Sequence, residues 1–506
     1  MMALPPPAST CSQTLCPHTV LTLSPSPYAQ SSGHQHYTEQ QILTAMTGKR
    51  RHAADAASRY HLAAFPAPLV LPGDVIDLDP RYPPQSFRSW MNEGARNQVT
   101  ARRRVIYVAA PPEIDRSVNF MDDWRRPKRE SSKPEQQAAL LTDADVQSLI
   151  SYLRAFYHGF EVKLLPASLT FTSWDETPKS KPGKNSRRHR DVQAVALATG
   201  TEAIRIRVRS TPPPNSGSSD AFPYSHQLNL NDMTEVALSM LPSDAYALLL
   251  LTTHDMFESE EDDFCCGRAW GASRVAIVSS ARYQPSLDDI HGVDRGHVWP
   301  ASHCSDFVDK TSLEGSQDDD PRPERNGTKR RRTIRRPASG AQSFAASSPL
   351  EKAVDAHRTS SLVAGLSVLD IKSTFLFRLC RTASHELGHC FGLDHCMYKA
   401  CVMQGTASVA EDMRQPPYLC PVCEAKVAWA VMRGDTPGAT AEPETRSRAA
   451  RATERTDIET LAQTEDDKRE IELAKWKKDR YEAIESFCEQ LNGAFAPLLA
   501  WSTAFL

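Results

Sequence analysis

The segment SHELGHCFGLDHCMYKACVMQG, Ser384 to Gly405, constrains this chain more than any other stretch. It gathers three of the chain's 16 histidines and three of its 12 cysteines. His385 and His389 are four residues apart, so a helix carries both imidazoles on one face, where they can meet one metal ion. Glu386 is offset from that face. It can reach a water on the metal without ligating the metal itself. A third ligand cannot lie on the same straight helix and still close around the ion. Gly392 permits the positive φ of a sharp turn, and His395 then swings back as third ligand.

Three neutral imidazoles leave Zn2+ its double charge and an open fourth position. A water there has its pKa lowered to about 7. Glu386 is expected to take its proton as general base and pass it to a leaving amine. A second set follows at once: Cys396, Cys401, Cys420 and Cys423, two close pairs bracketing a loop. Four thiolates suit a tetrahedral structural zinc with no place for water. Such a site supplies about 10–16 kcal/mol of apparent stability in small modules. Two Zn2+ per chain are therefore expected, one catalytic and one structural. Cys390 fits neither set and reads as a buried core thiol.

The rest of the 506-residue chain frames these motifs. With 36 prolines and 40% hydrophobic residues, it reads as a folded core with loosely structured segments. Its formal charge of −3 advertises no nucleic acid. No apolar run reaches bilayer length, and no basic n-region precedes the first apolar residues. No signal peptide and no membrane span are read, and a cytoplasmic or nuclear location is expected.

Along the chain, residues 1–60 read as a disordered tail and 61–306 as the N-terminal part of a catalytic domain, with a flexible loop at 167–190. Residues 307–362 read as a low-complexity insertion. Residues 363–433 carry the active-site helix and the four-cysteine subdomain, 434–465 a linker, and 466–506 an amphipathic helix and tail. RRRVIYVAAPPEI, FEVKLL, AIRIRVRS, AYALLLLTT and SRVAIVSSARY read as strands. Thr142 and Asp145 mark a capping box for a helix through Val146, Leu149, Ile150 and Leu153. HDMFESEEDDFCCGRAWG reads as one long acidic loop. Alternating strands and helices argue for an α/β layer.

HELGHCFGLDHCMYKACVMQG followed by CPVCEAK resembles the archaemetzincins, a zinc metallopeptidase family of the metzincin clan. The resemblance covers roughly Phe65 to Tyr283 and Phe375 to Val431, with a weaker echo in RYEAIESFCEQ. It implies an α+β fold with a twisted mixed sheet, an antiparallel edge strand, an active-site helix and a small zinc-stabilised C-terminal subdomain. It implies peptide-bond hydrolysis, most commonly of the aminopeptidase type, on a peptide or protein substrate. Met403 becomes the methionine packed under the zinc-binding histidines. SRVAIVSSARY looks like the family's edge strand above the cleft, which makes the backbone of Ser279, Ser280, Ala281 and Arg282 the expected substrate contact. The acidic run from Glu258 to Asp263 would hold a substrate's α-ammonium if it faces the cleft; a solvated loop is the plainer reading.

Three further features lie outside these motifs. His297, His303 and Cys304 offer metal-ligand types, though a packed, lid-like loop suits GHVWPASHC better. The basic run Lys329 to Arg336 and Ser339 have the look of an import signal and a phosphorylation site in a solvated insert. A monomer without nucleic-acid partners is expected. The competing function is a zinc-stabilised protein that captures peptides without turnover; the presence of Glu386 speaks against it.

Overall fold

The computed structural model describes residues 16, 18–48, 64–128, 141–174, 192–212, 222–314, 348–359, 367–433 and 455–506. The basic run and Ser339 lie outside them.

Two curled mixed sheets form the centre. The first has the strand order β10-β11-β8-β1-β3, with β1 at Val105–Ala109, β3 at Glu161–Leu164, β8 at Ala245–Thr252, β10 at Gly267–Trp270 and β11 at Val275–Ser279. β3, β1, β8 and β11 run parallel, and β10 closes one edge antiparallel to β11. The second has the order β2-β4-β5-β6-β7-β9, comprising Glu113–Ile114, Thr170–Thr172, Ala194–Ala198, Ala203–Ser210, His226–Asn229 and Met256–Phe257.

Burial explains the composition of β8. Tyr246, Leu249 and Leu251 join one core, while Leu248 and Leu250 join the other. A parallel strand covered on both faces needs apolar residues at every position. Its first face packs on the helices Asp143–Phe156 and Val368–Cys390, through Leu149, Leu153, Leu379, Ala383 and Leu387. Its second face packs on the Leu230–Ser239 helix and on the second sheet, through Met233, Val236, Phe171 and Leu197. The Thr142–Asp145 capping box is present, as is one at Ser367–Asp370 that starts the long Val368–Cys390 helix. No helix among the described residues is long and apolar enough to cross a membrane.

Several expectations are corrected. The N-terminal tail is not disordered throughout: Pro27–Ser32 and Glu39–Thr47 are helices. Ile42, Leu43 and Ala45 enter the main core, and Thr38 caps its helix reciprocally with Gln41. Few apolar residues sufficed because each is placed on a buried face. The flexible loop at 167–190 contains β4, which pairs with β2 and β5. The acidic loop contains β9 and β10. Both ends of the insertion are helical, Ser305–Glu314 and Pro349–Thr359, the latter burying Leu350, Ala353 and Val354. The C-terminal helix begins at Arg455, inside the expected linker.

The strand SRVAIVSSARY is not the sheet edge. β11 lies between β8 and β10, and the edge is β10. Ser279, Ser280, Ala281 and Arg282 are accordingly buried. Ser279 Oγ donates to the His254 carbonyl at 2.6 Å, and Arg282 pairs with Asp255 at 2.8 Å under the Phe264 ring. Their backbone N–H groups are engaged too, Ser279 with Cys266 and Ser280 with Thr252. They face the interior, with no surface to offer a substrate.

Candidate metal centre

The Val368–Cys390 helix delivers His385, Glu386 and His389 to the floor of a cavity of about 860 Å3. Its end is set by Gly392, whose φ is +74°. Leu393 N bonds back to the Gly388 carbonyl at 3.1 Å, and the chain reverses. A Cβ on Gly392 would stand 2.8 Å from Arg96 Cγ, so the position is confined in space as well as in φ. The turn brings the His395 ring within 5.5 Å of His385 and 5.1 Å of His389.

The tautomers follow from the hydrogen bonds. His385 Nδ1 lies 2.6 Å from the Val402 carbonyl and His389 Nδ1 2.7 Å from the Leu393 carbonyl. A carbonyl only accepts, so both Nδ1 atoms carry the proton. Both Nε2 atoms then present lone pairs, and these stand 3.1 Å apart. Two acceptors at that distance repel unless a cation lies between them. Burial first, then the neighbouring imidazoles, pushes His385 well below the usual histidine range and His389 down to about 4. Neutral imidazole is the form a metal takes. Carbonyl partners behind ligating rings are also the usual orienting arrangement. The donor set fits a divalent cation of zinc's preferences.

His395 is positioned through Asp394. The His395 backbone N–H donates to Asp394 Oδ1 at 2.9 Å, and the Tyr82 hydroxyl donates to the same oxygen. Met403 is fully buried beneath the helix, so close that a Cβ on Gly388 would sit 2.4 Å from its Sδ.

Glu386 is 7% exposed and points into the cavity beside β10. Burial raises its pKa to about 8, opposed by Arg268 and assisted by Asp412. Glu261, Asp262 and Asp263 line the cavity wall, while Glu258 pairs with Arg268 at 3.4 Å. Sequence reasoning missed β10, Arg268, Tyr82 and Asp412. Arg268 sits in a strand of four residues, too short for a period to register. Tyr82 joins Asp394 only through the fold.

Cys396, Cys401, Cys420 and Cys423 are all buried, with sulfurs within 4.8 Å of one another. Cys396 and Cys420 are 3.5 Å apart. Cys401 Sγ accepts the Cys420 N–H at 3.1 Å and the Met403 N–H at 3.5 Å, as a thiolate ligand does. Cys390 is buried apart from both sets. Glu424, beside Cys423, is buried against Arg480 of the C-terminal helix at 3.1 Å.

Comparison with known proteins adds names to this geometry. Residues 368–428 match the model of peptidase family M54. Human archaemetzincin-2 is 22% identical over 397 residues, covering 74% of this chain and 78% of that protein. The archaemetzincin of Pyrobaculum aerophilum is 34% identical over 79 residues, 13% of this chain and 51% of that one. The crystal structure of the Methanopyrus kandleri archaemetzincin aligns over 67% of this chain and 98% of that one, at 14% identity and a TM-score of 0.27, too low to inform the fold.

Proposed function

Because the chain belongs to the archaemetzincin family of zinc metallopeptidases, peptidase family M54, we propose that it hydrolyses peptide bonds with Glu386 as general base and removes residues from peptide N-termini. His385, His389 and His395 would hold the catalytic Zn2+, and Cys396, Cys401, Cys420 and Cys423 a structural one. When bound, the catalytic ion supplies Lewis acidity, polarising the scissile carbonyl and acidifying a water.

The chain's own groups do the rest. Glu386 is buried beside the three imidazoles, and the double charge of a bound cation would hold it as the carboxylate that accepts a proton from water. The same group then delivers that proton to the departing amine. β10 has no partner strand on its outer side among the described residues, so its backbone can take an extended peptide by strand addition. This assigns to β10 the role that the sequence placed on Ser279 to Arg282. Glu261, Asp262 and Asp263 line the cavity and give it a negative wall suited to an α-ammonium.

The observation that carries the reading is Glu386 set beside three convergent imidazoles, since a structural metal site has no use for a base. The test of the N-terminal preference compares free and N-acetylated versions of one peptide on zinc-loaded protein. Cleavage of the free form alone supports it. Equal cleavage of both, or internal cuts, would make the protein an endopeptidase.

A further inference from the structure

Outside the lining of the catalytic cavity, the N-terminal segment meets the 294–304 loop. Leu21 forms a β-bridge with Cys304, and the Thr22 N–H donates to the His303 carbonyl at 2.8 Å. At that seam Cys16, His18 and His297 bring one ligand atom each within 4.8 Å of one another. Cys304 Sγ lies 3.4 Å from Cys16 Sγ. That spacing nearly equals the 3.5 Å between Cys396 and Cys420, and both cysteines are free thiols. A disulfide would bring the sulfurs to about 2.05 Å.

Three observations converge on a cation here. First, both His18 ring nitrogens and His297 Nε2 are buried without a hydrogen bond of acceptable geometry among the described residues. Burying such groups unpaired is costly. Second, His297 Nδ1 is held by Asp294 Oδ2 at 2.6 Å, which aims Nε2 at the cysteine side. A carboxylate behind a histidine is how ligating imidazoles are oriented. Third, the His18 and His297 rings stand edge to face with centroids 5.1 Å apart, the spacing of His389 and His395. His303, the other histidine of this loop, is not part of the cluster: its Nε2 lies 3.2 Å from the Ala67 carbonyl.

We propose that Cys16, His18 and His297 form a third metal site for Zn2+, with Cys304, 3.4 Å from Cys16, completing the shell when the ion binds, and that it staples the N-terminal segment to the catalytic core. Such a set with a closed coordination shell is structural. Asp294 acts as a positioning residue for His297.

Residue-resolved thiol alkylation tests this on the full chain. Zinc-loaded protein is treated with iodoacetamide with and without a chelator, then digested unreduced and mapped by mass spectrometry. Cys16 is half-exposed, so as a bare thiol it reacts. The expected result is protection of Cys16 with zinc and its release by chelator. In His18→Gln, Cys16 reacts without chelator while Cys396 and Cys423 stay protected, which separates loss of this ligand from loss of the fold. Asp294→Asn weakens zinc protection of Cys16 by about 10–100-fold. Equal alkylation of Cys16 with and without chelator would overturn the proposal. So would recovery of a Cys16–Cys304 disulfide, or protection that His18→Gln leaves unchanged. Should His18→Gln unfold, 113Cd NMR of the wild-type chain decides: a mixed sulfur–nitrogen resonance supports the site, and its absence overturns it.

Discussion

Glu386 lies against Gly267 so closely that a Cβ on the glycine would stand 2.9 Å from Glu386 Oε1. The edge strand and the proposed base are thus fitted to each other, and glycine is what makes room. Gly267→Ala should displace the carboxylate while leaving the three histidines in place. The expectation is a fall in kcat on the order of 10²-fold at unchanged zinc content, read by steady-state kinetics beside metal analysis. Unchanged kcat would mean that the carboxylate has freedom to spare.

Met403 fills the space under the helix that bears His385 and His389. Its side chain is fully buried, so Met403→Ala leaves a cavity. The cost should be about 2–5 kcal/mol of unfolding free energy, measured by denaturant titration of zinc-loaded protein. Leucine at the same position should recover most of it, since it restores volume.

Arg480 and Glu424 form an ion pair with both side chains fully buried, and Arg480 Nε also donates to the Phe156 carbonyl at 2.7 Å. The pair ties the C-terminal helix to the helix carrying Cys423. Glu424→Ala leaves a buried guanidinium without its carboxylate and should cost about 3–5 kcal/mol. A double change that replaces both partners with apolar residues should cost much less. The four corners of that double-mutant cycle, followed by chemical denaturation, check both statements.

Glu411 sets a pH dependence of its own. It accepts the Val75 and Ala407 N–H groups, at 3.1 and 2.6 Å. Burial, and after it the Asp74 carboxylate, raise its pKa from 4.5 to about 8. The folded state therefore holds a proton that the unfolded chain has already released. The contribution is full below the unfolded value and is lost as pH rises toward 8. Glu411→Gln does not titrate, so its stability relative to wild type should rise between about pH 5 and about pH 8. Thermal midpoints of both proteins across that range would show it. A constant difference would mean that Glu411 titrates alike in both states.

What the sequence made legible, and what it hid, follows from the range of the interactions. The three convergent histidines, Gly392 and the cysteine pairs lie close together in the sequence, so their spacing could be read directly. The Thr142 capping box and the apolar run of β8 are equally local signals. The edge strand was misplaced because Val275 to Ser279 and Gly267 to Trp270 are both short, and only pairing decides which is outermost. Tyr82 with Asp394 and Cys16 with His297 are long-range partners, and nothing near either residue announces the other. The N-terminal helices were hidden by Ser- and Pro-rich composition, although Thr38 followed by Gln41 was a capping box in plain sight.

The central claim is turnover through Glu386. A mass-spectrometric peptide-library digest, run with zinc-loaded wild type beside Glu386→Gln at matched zinc content, tests it most directly. Cleavage by the wild type, concentrated at N-termini, is expected, with a loss of about 10²–10⁴-fold in the variant. Equal cleavage by both proteins would remove Glu386 from the chemistry. No cleavage by fully metallated wild type would contradict the peptidase reading and leave a peptide-binding protein in its place.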